Sequence, residues 1–156
     1  MEAEAERRSG LSRGHHSRER AFLLGFGLRQ ELPPGAKLAE AAQHLGTIDY
    51  LAPEQIEGKP VSPRTDVYAL GCVLFECLTG KPPFKGDSPD ALLKAHLHEQ
   101  PPSATQYCPD LPAGIDRVIR KAMAKWPEER YSTCGELAAS AQAALALGGE
   151  QSERVP

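Results

Sequence analysis

One segment, residues 67–78, constrains the fold of this chain more than any other. Its only charged residue is Glu76, and Pro63 just upstream suits the first turn of a helix. A helix that is apolar on every side is normally buried at the centre of a larger fold, and this one is too short to cross a bilayer. The segment therefore predicts a central helix that needs neighbours around it.

Three further helices are indicated downstream. One begins at Ser88, an N-cap residue, with Pro89 at the first helical position. The last opens with a capping box of Thr133 and Glu136 and ends at a glycine pair, residues 148–149. The helix between them carries apolar residues at the spacing of a single helical face. These residues are Ile115, Val118, Ile119, Ala122 and Met123.

The remainder of the chain divides into a folded region and two polar ends. Residues 1–20 carry five arginines, four glutamates and almost nothing apolar, so we expect them to be disordered because they cannot offset the entropy of ordering. Residues 21–28 favour a short buried strand that runs into a glycine turn. The folded region is predicted to span residues 21–147, with a flexible tail over residues 148–156. The predicted fold class is mainly α.

Charge and cysteine content argue against several classes of function. The formal net charge is -3, so nothing favours a nucleic acid or an anionic membrane as a partner. No run of about 18 apolar residues is present, and the N-terminus is charged, which indicates neither a membrane span nor a secretory signal. We therefore expect a cytoplasmic protein. The four cysteines form no C-x-x-C pair, so we expect free thiols rather than a metal site.

Four motifs occur in the order in which protein kinases have them. Residues 46–54 end in Ala-Pro-Glu and resemble the end of a kinase activation segment. Residues 66–71 and 78–84 resemble the start and the closing turn of the central helix of the kinase C-terminal lobe, and residues 125–131 resemble a late motif that supplies an arginine. The resemblance covers residues 22–141 and is closest to bacterial serine/threonine kinases of the eukaryotic-like type. It implies the helical C-terminal lobe of the protein kinase fold, without the β-rich N-terminal lobe.

The resemblance also implies roles for individual residues. Glu54 and Arg130 would pair across the fold. Thr47 would help to place the substrate hydroxyl, and Asp66 would bind backbone amides of the catalytic loop. Simpler interpretations stay open, in which Glu54 and Asp66 only stabilise helix starts. Likewise, Arg130 would be a surface charge and Thr47 a packed loop residue. One departure from the family is Trp126, at a position where aspartate is usual.

The residues that carry out kinase chemistry are absent from their expected places. The family uses a glycine-rich loop, a strand lysine, a catalytic aspartate, and an aspartate and an asparagine that hold magnesium. This chain has no asparagine, its first lysine is Lys37 and its first aspartate is Asp49. Gly25 stands where the metal-binding aspartate of an Asp-Phe-Gly motif is expected. We therefore predict no catalytic residue, no ATP or magnesium, and no phosphoryl transfer by the isolated chain.

Three interpretations of function stay open. The chain is a serine/threonine kinase-related fragment, a pseudokinase-like protein-interaction module, or half of a split kinase. In the family, helices from both before and after the central helix wrap around it, and only the later ones are evident in this sequence. One flank of the predicted helix is therefore expected to be bare, which favours binding to a protein partner or to the missing lobe, or self-association.

Overall fold

The computed structural model describes residues 48–149, with side chains as far as residue 146. Five α-helices occur in this range: α1 (Pro53–Ile56), α2 (Pro63–Thr79), α3 (Pro89–His98), α4 (Gly114–Ala122) and α5 (Cys134–Gly149). Single 3-10 turns lie at Ile48–Tyr50, Ala104–Gln106 and Pro127–Glu129. Residues 48–149 contain no strand, so this part of the chain has the helical fold class that the sequence predicts.

The predictions made for the first 47 residues lie outside the described part. They are the disordered tail, the strand at 21–28 and the roles of Gly25 and Thr47. The same holds for the end of the chain beyond residue 149.

Capping residues set both ends of the central helix α2. The Ser62 hydroxyl accepts a hydrogen bond from the Arg64 amide at 3.3 Å, and the Ser62 amide donates to the Thr65 hydroxyl at 3.0 Å. Pro63 occupies the first helical position, where its missing N–H has no helical partner to lose. Gly80 ends the helix in the left-handed region, with φ 71°, a conformation that favours glycine.

The core lies between α2, α4 and α5. Gly71 permits a close approach here, because a Cβ at this position would lie 2.9 Å from the Cβ of Ala122 on α4. The apolar face predicted for α4 is buried in this contact. The largest fully buried apolar side chains are Tyr68, Phe75, Ile115, Ile119, Met123 and Leu137.

One flank of α2 is exposed rather than buried. Asp66, Leu70, Val73 and Cys77 follow one another at the spacing of a single helical face, and all four are exposed. Leu70 is 37% and Val73 41% exposed, which is unusual for large apolar residues in the middle of a central helix. We call these four residues the exposed stripe. Burial on every side, as apolarity alone predicts, is therefore wrong for this flank, whereas the exposed flank that the sequence analysis also expects is present.

The caps of α3 and α5 follow the sequence, with one difference. The Ser88 hydroxyl accepts from the Ala91 amide at 3.2 Å, as an N-cap does. At α5, the Thr133 hydroxyl accepts from the Glu136 amide at 3.1 Å. The Glu136 carboxylate reaches back to the amide of Ser132, at 2.9 Å, and so binds one residue earlier than an ordinary capping box requires. Among the described helices, none is long and apolar enough to cross a membrane.

Candidate functional site

The most deeply buried charges belong to Glu54 and Arg130. Glu54 lies in the first turn of α1 and Arg130 follows the turn Pro127–Glu129, 76 residues away in sequence. Two parallel hydrogen bonds join them, from Nη1 to Oε1 and from Nη2 to Oε2, both 2.7 Å long. The side chains are 0% and 5% exposed, for Arg130 and Glu54 respectively. Such a two-pronged pair fixes orientation as well as distance.

Arg130 uses every donor that its guanidinium offers. Besides its two bonds to Glu54, Nε donates to the Ala124 carbonyl at 2.8 Å. Nη1 also donates to the Arg64 carbonyl at 3.0 Å, and Nη2 to the Lys125 carbonyl at 3.1 Å. The guanidinium carbon lies 4.9 Å from the centre of the Tyr68 ring. One side chain therefore connects α1, the start of α2 and the segment that follows α4, with no buried donor unpaired.

The Glu54 carboxylate is held in its charged form. Burial by itself raises the pKa of Glu54, but hydrogen bonds from Arg130 and from the Thr65 hydroxyl oppose it, so the net pKa lies below its usual value. The Thr65 hydroxyl donates to Oε1 at 2.8 Å and also accepts from the α2 cap. Thr65 thus links the helix cap to the ion pair, a role that sequence patterns did not indicate.

Arg64 forms a second clasp that the sequence analysis missed. Its Nη1 donates to the carbonyls of Arg130 at 2.8 Å and Pro127 at 3.2 Å, and its Nη2 to the Ser132 hydroxyl at 3.2 Å. In return, the Arg64 carbonyl accepts from Arg130. The two arginines therefore hold each other's backbone. Arg64 lies in the first turn of α2, where a positive charge interacts unfavourably with the helix dipole. This unfavourable position was the signal in the sequence that Arg64 has partners elsewhere.

Tyr50 attaches the residues before α1 to the central helix. Its hydroxyl donates to Glu76 Oε2 at 2.6 Å. That hydrogen bond, together with burial and the negative charge of Glu76, raises the pKa of Tyr50 to about 12. The phenol is therefore neutral at ordinary pH and can keep donating to the carboxylate.

An aromatic and basic cluster lies beside the ion pair. Tyr68 Oη and His96 Nδ1 are 3.0 Å apart, and the Phe84 ring meets the His96 ring edge-on at 5.0 Å. Burial and then the nearby Lys125 ammonium lower the pKa of His96 to about 4, so the imidazole is neutral. Lys125 donates to the His96 carbonyl at 2.7 Å, and burial lowers its pKa to about 8. This cluster fastens the C-terminal end of α3 to the segment after α4.

The other predicted residue within the described range is Asp66. It lies exposed at the start of α2, on the opposite side of the helix from the buried Tyr68, and its carboxylate forms no hydrogen bond with residues 48–146. No three histidine, cysteine, aspartate or glutamate side chains come together as a possible metal site in this part of the chain.

The geometry defines the C-terminal half of a helical lobe in which an Ala-Pro-Glu glutamate is locked to a late arginine. Comparison with known proteins identifies the same class, because the protein kinase domain model matches residues 16–143. The chain belongs to the protein kinase family.

The relatives compared include serine/threonine-protein kinases of Mycobacterium. The chain is 43% identical over 130 residues to serine/threonine-protein kinase PknE of Mycobacterium tuberculosis, covering 83% of this chain and 23% of PknE. It is 45% identical over 127 residues to PknD of the same organism, covering 80% of this chain and 19% of PknD. For PknB of Mycobacterium leprae the identity is 42% over 117 residues, covering 75% and 19%. The chain thus spans less than a quarter of the length of these kinases.

Proposed function

We propose that this chain is the activation-segment anchor and late-helix part of a serine/threonine kinase C-terminal lobe, and that alone it does not transfer phosphate. The observation that carries the proposal is the buried pair of Glu54 and Arg130. The pair fixes the Ala-Pro-Glu end of the segment against the late helices. In a kinase whose relatives act on serine and threonine, such an anchor holds the surface on which a protein substrate would rest.

The proposed lack of activity rests on the absence of the residues that kinases use to position and neutralise the phosphates. Phosphoryl transfer depends on positioned cations and carboxylates around the phosphates. The chain has no asparagine, no lysine before Lys37 and no aspartate before Asp49, and glycine stands at position 25. Removal of one charge-stabilising group commonly reduces a rate by about a hundredfold or more, and here several are missing together.

The direct test uses the full chain. Calorimetric titration with magnesium-ATP should show no saturable heat, and a labelled-phosphate assay with a serine- and threonine-containing protein should show no incorporation above a blank. Saturable binding in the micromolar range, or turnover, would refute the proposed inactivity. The relation to kinases would be unaffected, since it rests on the family match.

The exposed stripe supports a docking role for the chain. Leu70, Val73 and Cys77 present an apolar strip that the described residues leave uncovered. In the proposed function it receives the remainder of a kinase lobe, on the same polypeptide or on another, or a second copy of this chain. A cytoplasmic location completes the proposal, since kinase substrates of this class are reached there.

The alternative is a pseudokinase-like interaction module. It is favoured by the same stripe together with the empty catalytic positions. Light scattering at several concentrations, with a dye that reports exposed apolar surface, tests whether the stripe is bare. Concentration-dependent mass and strong dye binding would support an uncovered docking surface. A monomer that binds no dye would mean that another part of the chain covers the stripe, and would remove the support that the stripe gives to either interpretation.

A further inference from the structure

Trp126 is a departure from the kinase pattern that the proposed function does not use. It is the only tryptophan in the chain, and its side chain is 57% exposed. Trp126 borders two cavities, of about 560 and about 470 Å³, that share it and Lys125 in their walls. These volumes lie in the range of ordinary ligand sites.

The larger cavity has a basic wall. Arg117, Arg120 and Lys121 lie on one face of α4, because their spacing is i, i+3 and i+4. All three line the cavity and all three are exposed. The only acidic side chain in the same lining is that of Glu129. No carboxylate within residues 48–146 lies within 4.0 Å of any of the three cations, so their charges are unneutralised by this part of the chain.

The cavity stands on a rigid base. Ala124 and Lys125 line the cavity, and the Arg130 guanidinium donates hydrogen bonds to both of their carbonyls. The Lys125 ammonium is occupied by the end of α3, at 2.7 Å from the His96 carbonyl. Lys121 is placed over the Tyr131 ring at 4.4 Å. The site therefore offers one positioned cation, Lys121, beside the exposed cations of Arg117 and Arg120 and the exposed ring of Trp126.

We propose that the cavity between the basic face of α4 and Trp126, here the Trp126 cavity, binds a phosphorylated segment of a protein partner. A phosphoserine or phosphothreonine carries nearly two negative charges and three acceptor oxygens, and arginine clusters are the usual means of holding it. Two arginines can each present a planar fork to phosphate oxygens. The indole of Trp126 lies where a neighbouring residue of the segment would pack. A partner segment with a carboxylate in place of the phosphate would neutralise only part of the positive charge of Arg117, Arg120 and Lys121.

The test exploits the single tryptophan. Fluorescence of the full chain, excited at wavelengths that tyrosine does not absorb, reports the Trp126 environment alone. Three short peptides of glycine, alanine and serine are titrated, identical except for phosphothreonine, threonine or glutamate at the centre. The phosphothreonine peptide should give a saturable change in emission that weakens with added salt. The threonine peptide should give none, and the glutamate peptide should bind much more weakly.

Variants assign the binding to the cavity. Arg117→Glu combined with Arg120→Glu should weaken binding of the phosphothreonine peptide roughly tenfold or more, because each charged hydrogen bond is worth at least that factor. The matched control combines Lys85→Glu with Lys94→Glu, which changes the net charge equally at exposed positions outside the cavity. It should retain binding within about twofold, with far-ultraviolet circular dichroism checking that both variants fold.

Several results would overturn the proposal. Equal weakening in both double variants would mean non-specific attraction. Equal binding of the glutamate peptide would remove the role of phosphate. Saturation by inorganic phosphate at the same concentrations as the peptide would mean that a free anion, not a protein segment, occupies the cavity.

Discussion

Loss of Arg130 should destabilise this fold severely. The substitution Arg130→Ala leaves the Glu54 carboxylate buried without its cation, and it also removes one donor each from the carbonyls of Ala124, Arg64 and Lys125. Removal of one partner from a buried pair costs about 3–5 kcal/mol. A small domain unfolds with a total of about 5–15 kcal/mol, so the variant loses a large part of its stability. Glu54→Ala should lose a similar amount.

A surface pair in the same chain provides the control. Lys59 Nζ and Glu57 Oε2 are also 2.7 Å apart, but their side chains are 50% and 42% exposed. Water screens such a pair, so Lys59→Ala should change the free energy of unfolding by about 1 kcal/mol or less. Urea unfolding followed by circular dichroism measures both variants. Equal, small losses for Arg130→Ala and Lys59→Ala would refute the reasoning that burial, rather than distance, sets the contribution.

Acid should weaken the same pair in a defined direction. The pKa of Glu54 is lower in the folded protein than the usual value of 4.5. Its contribution to stability is therefore complete above pH 4.5 and is lost as the pH falls through the folded pKa. The free energy of unfolding of the natural chain should fall below pH 4.5, and Glu54→Gln should remove that part of the slope. An unchanged slope in Glu54→Gln would contradict this assignment.

Three further predictions concern α2 and α3. From pH 6.5 to pH 4.5 the free energy of unfolding should fall by about 2–3 kcal/mol, because unfolded His96 binds a proton that the folded state, with a pKa of about 4, does not. Urea unfolding of His96→Leu should show no such fall, and an equal fall would contradict the assignment. Gly71→Ala should destabilise by about 1–2 kcal/mol in thermal unfolding, since a new Cβ approaches α4 to 2.9 Å. Gly135→Ala, whose nearest neighbour lies at 3.7 Å, should be neutral or stabilising, and similar losses in both would refute the packing argument. Cys77 should react with a thiol reagent in the folded protein, whereas buried Cys72, with its pKa raised to about 12, should react only after unfolding; reaction of Cys72 first would be inconsistent with the fold.

Local signals in the sequence were sufficient for the helices. Proline at the first helical position predicts the starts of α2 and α3, and the apolar repeat of α4 predicts its buried face. These features depend on neighbours within one or two turns, so a single sequence contains them. The contact between Glu54 and Arg130 joins residues 76 apart, and only the resemblance to kinases implied it.

Several of the missed interactions have backbone carbonyls as acceptors. Arg64 donates to three carbonyls of the segment after α4, and Lys125 donates to the end of α3. Any residue can provide a carbonyl, so no residue type in the sequence indicates the acceptor. The exposure of Val73 was predictable only in part. Apolarity favours burial of Val73. Which flank of α2 stays exposed depends on contacts with segments distant in sequence, which local patterns do not indicate.

The Glu54–Arg130 pair, here the anchor, and the exposed stripe concern two separate properties of the chain: its local fold and its exposed apolar surface. Within the described residues, all partners of the Arg130 guanidinium come from residues 54–125. The stripe lies on the flank of α2 opposite the anchor, so the anchor does not bury it. Leu70 and Val73 become buried only when another surface covers them. The described residues keep the local geometry of a kinase activation-segment end. We expect the solubility of the chain to depend on the stripe, and its fold to depend on one buried guanidinium.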